Sequence, residues 1–222
     1  MNEQTKKELV DYLGEYVTPE KKEKIDIILA LRTQHLTVAL EDVFQPHNAS
    51  AIVRSTECFG VQDIYCVQDK YRFKVNQGVA RGSAYWMNIH SNPSIEDSFV
   101  QLKKNGYRIV ATTPHAKALY ISELPIDQKT ALVFGTELTG ISQFTTDNAD
   151  AFVKIPMFGF TESYNVSVSV ALCLYELTKR LRASDIDWQL TQAERIDTRL
   201  QWYRRIVRAS DALEKKFIQE RK

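Results

Sequence analysis

Three short segments of this sequence gather residue types that chemistry uses. The first, Gln45-Pro46-His47-Asn48-Ala49-Ser50-Ala51-Ile52-Val53-Arg54, carries an amide, a hydroxyl and a guanidinium close together. The second, Phe134-Gly135-Thr136-Glu137-Leu138-Thr139-Gly140, sets a carboxylate between two glycines. The third opens on Ile155-Pro156-Met157 and closes on Ser163-Tyr164-Asn165-Val166-Ser167-Val168. Glycines at the carboxyl end of a parallel strand let backbone approach a ligand closely, where open α/β sheets bind small molecules. A helix start after Ser163 or Asn165 presents backbone N–H groups that can hold a carboxylate or the polar edge of a ligand. Each segment also has a structural reading: an Arg54–Glu57 surface pair on a capped helix, a tight strand-to-helix turn, and ordinary N-capping.

Several chemistries lose support. Gly135 and Gly140 have the spacing of GxxxxG, but Ile141-Ser142 stands where a phosphate loop needs Lys followed by Ser or Thr. His35, His47, His90 and His115 lack metal-ligand spacing, so no metal is expected. Neither a G-x-S-x-G elbow nor a G-x-G-x-x-G fingerprint occurs, against hydrolase and dehydrogenase readings. Trp86, Trp188 and Trp202 are read as packing residues before base-stacking ones.

The elements that must position these segments alternate in type. Thr18-Pro19-Glu20 starts an N-terminal helix, with a capping hydroxyl before proline at the first helical position. Short β-rich runs follow: LTVAL at 36, DIYCV at 63, RIVAT at 108, TALVF at 130 and AFVKI at 151. Strands separated by crossovers imply a mostly parallel sheet. The first segment then leads from a strand into a helix capped by Asn48 or Ser50 and stopped near Gly60. Ala49, Ile52, Val53, Thr56 and Phe59 face the sheet, leaving Ser50, Arg54 and Glu57 on another side. A long apolar helix follows Asn165 to about Ala183, and Thr191-x-x-Glu194 is a capping box for a final helix.

The chain has 222 residues, 44% hydrophobic and 26% charged, enough for one α/β domain with terminal extensions. Its formal net charge of +1 is unevenly spread: residues 179–222 hold 12 Lys+Arg against 7 Asp+Glu, and the rest hold 17 against 21. A basic tail suits phosphate binding or simply a solvated helix surface. Cys58, Cys66 and Cys173, odd in number and without CxxC spacing, fit a reducing cytoplasm. Residues 1–14 have no apolar core of a leader, and the longest apolar-rich stretch, Val166 to Leu177, is too short for a bilayer; a soluble, unprocessed protein is expected.

Taken in order, the three segments resemble the SpoU family of ribose 2′-O-methyltransferases within the SPOUT superfamily. Asn48 to Arg54 matches the first motif, Phe134 to Gly140 the second, and Ile155 to Val168 the third. Supporting similarity at Gly82-Ser83 and Trp86 extends the resemblance from roughly Thr18 to Leu177. Within the family, Thr18-Pro19-Glu20-Lys21, Arg32-Thr33-Gln34, Leu36-Thr37-Val38 and Pro46-His47-Asn48-Ala49-Ser50-Ala51 are most similar to the branch that modifies guanosine 18 in the tRNA D-loop. Ser50 stands where Gly is frequent elsewhere in the family, and Tyr164 where Leu is usual.

The resemblance implies an α/β fold: a parallel sheet with a C-terminal deep trefoil knot from about Thr130 to Leu177, plus short helical extensions at both ends. It implies borders at 1–34, 35–184 and 185–222. It implies S-adenosylmethionine bound around Thr112, Gly135, Ile155, Tyr164 and Val168, and a catalytic set of Arg54, Asn48, Glu137, Ser163 and Asn165. In that set Arg54 activates the ribose hydroxyl, Asn48 positions it, and the others shape the site. The partners implied are tRNA and a second copy of the chain as homodimer, with no membrane and no metal. Lys24, Arg32, Arg195, Arg199, Arg205 and Arg208 are the candidate RNA contacts. The alternatives are a ribosomal RNA methyltransferase of the same family and a non-catalytic RNA-binding protein on the same fold.

Overall fold

The computed structural model describes all residues except 44, 69–76, 81, 115–116, 137–138 and 222, and leaves the side chains of 77 and 79 undescribed. Its elements run α1 (Glu3–Gly14), α2 (Pro19–Ala30), β1 (Leu36–Leu40), α3 (Pro46–Cys58), β2 (Asp63–Val67), α4 (Gln77–Ala80), β3 (Asn88–Asn92), α5 (Ile95–Lys104), β4 (Arg108–Thr112), β5 (Leu119–Tyr120), β6 (Thr130–Phe134), α6 (Gln143–Asn148), β7 (Ala151–Lys154), α7 (Val166–Arg182), α8 (Gln192–Ile206) and α9 (Ser210–Gln219). The chain divides into two compact units, one made of residues 33–188 and the other of residues 1–32 with 189–222.

In the larger unit the seven strands form one sheet in the order β3-β2-β1-β6-β4-β7-β5, with every pairing parallel. Both faces of its centre are covered, so its strands read as near-continuous apolar runs. Along β1, Leu36, Val38 and Leu40 join a core with Ile52 and Val53 of α3 and Val170, Leu174 and Leu177 of α7. Ala39 points the other way, into a core with Phe99 and Leu102 of α5 and Val133 of β6. The β1–β6 register pairs Leu40 with Phe134, and β4 pairs Ala111 with Val133 and Thr112 with Val153. This brings the carboxyl ends of β1, β6, β4 and β7 together, where the three motif segments emerge.

Three features depart from the sequence reading. Strand β3, of sequence NIHSN, has no apolar alternation and was not expected. It is an edge strand tied by polar side chains: the buried Asp63 carboxylate accepts from Asn88 Nδ2 at 3.0 Å and His90 Nε2 at 2.7 Å. The helix carrying Asn48 begins at Pro46 with Gln45 before it and no side-chain cap, so neither Asn48 nor Ser50 caps it. Proline has no N–H to satisfy at the first helical position, which leaves the Asn48 amide available for other bonds. The capping box at Thr191 and Glu194 forms, but α8 is followed by α9 after Ala209 turns the chain at φ 56°.

The two terminal segments form the smaller unit. Asn2 caps α1, accepting from Thr5 N at 2.8 Å, and α1 buries Leu9, Val10 and Leu13. Its packing against α8 and α9 joins residues more than 170 positions apart. Trp202, 1% exposed, sits beneath the Arg32 guanidinium at 5.5 Å, which removes it from any base-stacking role.

Candidate active site

The first and third motifs meet through their asparagines. Asn165 precedes α7, and its Oδ1 accepts from Ser167 N at 2.9 Å and Ser167 Oγ at 2.6 Å, capping the helix as its type favours. That orientation aims the other end of the amide outward: Asn165 Nδ2 donates to Asn48 Oδ1 at 3.2 Å. Asn48, 4% exposed in the first turn of α3, also donates from Nδ2 to Gln45 Oε1 at 3.3 Å. Residues 117 positions apart therefore share one hydrogen bond.

The second motif makes a compact turn after β6. Thr136 N donates to Gly140 O at 2.9 Å and Gly140 N to Thr136 O at 3.1 Å, closing the turn on itself. A Cβ added at Gly135 would lie 2.0 Å from the Gly140 carbonyl carbon and 2.2 Å from Ile141 N. The glycine is thus required by the chain's own backbone, not only by room for a ligand as the sequence suggested. Gly140 has φ +69°, the left-handed region that favours glycine. Glu137, the carboxylate of this motif, lies outside the described residues.

Beside these loops a cleft of about 100 Å³ is lined by Thr112, Thr113, Pro114, Val153, Lys154, Ile155, Met157, Ser163, Tyr164, Ser169 and Cys173. Of the residues expected around a cofactor, Thr112, Ile155 and Tyr164 form its wall, whereas Gly135 and Val168 do not. Thr112 Oγ1 donates to Val133 O at 3.0 Å, and Tyr164 OH donates to Pro156 O at 3.3 Å across the intervening loop. Burial pushes the Cys173 thiol up to about 12, so it stays protonated and is not a nucleophile at neutral pH.

The remaining expected residues are more scattered. Ser163 is on the cleft wall. Arg54 is exposed on α3, has no ion-pair partner among the described residues and does not line the cleft. Asn48 is buried on the same helix and bonds Asn165 and Gln45. Among the candidate RNA contacts, Lys24 and Arg208 are exposed and Arg205 is half-buried. Arg195 donates to Leu190 O and Gln189 Oε1, both at 3.0 Å, and Arg199 pairs with Asp26. Arg32 is a correction: at 1% exposure and packed on Trp202, it has no surface to offer a phosphate. Sequence reading passed over Glu41, which is buried where β1 ends and accepts from Ser142 N and Thr145 Oγ1. An acidic residue directly after an all-buried strand was the available signal. Among the described residues there is no cluster that could hold a metal ion and no helix long and apolar enough to cross a membrane.

Residues 35–175 match the SpoU rRNA methylase family, and this span takes in all three motif segments. The chain belongs to the SpoU family. One SpoU relative, the tRNA (guanosine(18)-2′-O)-methyltransferase of Borreliella burgdorferi, is 43% identical over 199 residues, covering 90% of this chain and 91% of the relative. The crystal structure of the A. aeolicus TrmH/SpoU tRNA modifying enzyme superposes with a TM-score of 0.75 at 29% identity, covering 83% of this chain and 95% of that one. The SpoU methyltransferase AviRb from Streptomyces viridochromogenes, solved in complex with AdoMet, shares the fold at TM-score 0.61 and 21% identity, covering 70% of this chain and 64% of that one.

Proposed function

We propose that this chain transfers a methyl group from S-adenosylmethionine to the ribose 2′-hydroxyl of guanosine 18 in the D-loop of tRNA. The observation that carries the reading is the Asn165–Asn48 hydrogen bond, which joins two family motifs at the carboxyl ends of the central strands. Likeness over nine-tenths of the chain to a relative named for that reaction supports the same substrate.

The cleft residues fit the cofactor. Val153, Ile155 and Met157 offer apolar surface for a flat heteroaromatic ring, and the Thr113 and Ser163 hydroxyls offer hydrogen bonds. Thr112, Gly135, Ile155, Tyr164 and Val168 are the residues assigned to it. The cofactor supplies a methyl group activated on a sulfonium, so the protein's share is to align the attacking oxygen and ease loss of its proton. Arg54 serves this step by stabilising the forming alkoxide or holding a neighbouring phosphate, because a guanidinium offers only donors and has no lone pair free to take the proton itself. Asn48 and Asn165 fix α3 against the third motif, with Ser163 and Glu137 completing the site.

The catalytic domain is residues 35–184, with a knot in 130–177, and the extensions 1–34 and 185–222 bear the RNA contacts Lys24, Arg195, Arg199, Arg205 and Arg208. The working form is a cytoplasmic homodimer. Support for the dimer comes from Val168, Leu172 and Tyr175, which form an exposed apolar stripe along α7, and from Phe158 and Phe160, fully exposed in the preceding loop. Three unpaired cysteines agree with a reducing compartment.

The rival substrate is ribosomal RNA, which the family's own description favours. Methyl incorporation from labelled S-adenosylmethionine into unmodified tRNA and ribosomal RNA transcripts, followed by mapping, separates the two. A 2′-O-methylguanosine in the D-loop is the expected product. Methylation of ribosomal RNA alone overturns the substrate and keeps the chemistry; methylation of neither overturns both.

A further inference from the structure

We propose that Glu41 is a positioning residue for cofactor binding, holding both ends of the glycine turn 135–142 from the end of a neighbouring strand. The link to the cofactor rests on the functional reading above, whereas the hold on the turn does not. Glu41 directly follows β1, and its backbone N donates to Phe134 O at 2.9 Å, fixing the residue just before Gly135. Its side-chain Oε2 accepts from Ser142 N at 3.0 Å and from Thr145 Oγ1 at 3.2 Å, fixing the chain just beyond Gly140. The Thr136–Gly140 bridge closes the middle of the turn, so Glu41 supplies both outer ties.

The choice of a carboxylate has a physical reason. Glu41 is 6% exposed, and a buried charge is tolerated only when hydrogen bonds replace its water. Its carboxylate accepts from an N–H and a hydroxyl, and a bond to an ionised acceptor is roughly twice as strong as one between neutral groups. The next residue, Asp42, adopts φ 52°, a left-handed turn that sends the chain off the strand toward α3 with Asn48 and Arg54. Glu41 thereby stands at the root of the first motif while gripping the second. Removing its carboxylate frees the far end of the turn without cutting β6 from the sheet, because the backbone tie at Phe134 remains.

The test compares Glu41→Ala and Glu41→Gln with the intact chain by amide hydrogen exchange and by calorimetric titration with S-adenosylmethionine. Glu41→Ala is expected to speed exchange selectively between Thr139 and Thr146 and to weaken cofactor binding by about tenfold or more. At saturating cofactor, turnover is expected to fall by less than about threefold. Glu41→Gln keeps an acceptor oxygen for Ser142 N–H and should recover much of the loss. The proposal is overturned if exchange and cofactor affinity are unchanged, or if turnover and affinity fall only with the folded fraction and Glu41→Gln rescues nothing. If the intact chain itself does not bind S-adenosylmethionine, the functional reading and the cofactor part of this proposal fail, while the exchange comparison still decides whether Glu41 holds the turn.

Discussion

Replacing Asn165 with Ser separates the two jobs its amide performs. Serine keeps an oxygen that can cap α7 through Ser167 N–H but removes the Nδ2 donor to Asn48. The loss is one part-buried side-chain hydrogen bond, worth about 0.5–1.5 kcal/mol. For a chain of this size that lowers the melting temperature by roughly 1–6 °C. Because the bond holds the two motifs in their active arrangement, its loss depopulates that arrangement and reduces kcat by up to about two- to tenfold. Asn165→Ala loses the cap as well and should cost about 1 kcal/mol more in stability with a similar effect on turnover. The decisive assay is a double-mutant cycle with Asn48→Ala, followed by urea denaturation and by methyl transfer to tRNA. A coupling energy of about 0.5–1.5 kcal/mol is expected in both readouts. Additivity within about 0.3 kcal/mol would refute the claim that these residues act as one unit.

Arg54→Ala should leave stability within about 0.5 kcal/mol, since the side chain is exposed, yet reduce turnover by about a hundredfold or more; near wild-type turnover sinks its assignment. Gly135→Ala puts a Cβ about a bond and a half from backbone atoms of Gly140, which cannot swing aside, so a loss of roughly 1–3 kcal/mol or more is expected, with weaker cofactor binding. Gly140→Ala meets nothing within 4 Å and should cost only its left-handed torsion, about 1–2 kcal/mol; equal costs in denaturant melts would contradict the distinction. Burial tends to raise the Asp150 carboxyl, but bonds from Lys103 and from Ile109 N at 2.7 Å outweigh it and hold the group below its ordinary value. Its ionised form therefore stabilises the fold above the unfolded carboxylate range, and that contribution is lost as pH falls through the lowered folded value. Asp150→Asn should cost under about 1 kcal/mol at neutral pH, because solvent screens the pair, and the two proteins should converge in strong acid; a gap that widens in acid reverses the sign.

Much of the fold was legible because local chemistry writes itself into local sequence. Five of the strands are short apolar runs, the caps at Thr18, Thr191 and Asn165 are side chains of the expected type, and Gly60 stops α3 with φ 78°. The order and spacing of the three motifs were enough to identify the family before any contact was known. Other features depended on groups far apart in the chain, which no local period records. The polar strand β3 exists because Asp63 holds its side chains, and the basic Arg32 is a packing residue because Trp202 covers it. Gly135 answers to Gly140 pressing on it, Glu41 is buried because Ser142 and Thr145 come to it, and Asn48 faces Asn165 only after the sheet has brought β1 and α7 together. Sequence alone determined which residues were available for chemistry and which elements would carry them; tertiary structure decided which of them touch, because strand register and two-sided burial place groups that short-range preferences cannot.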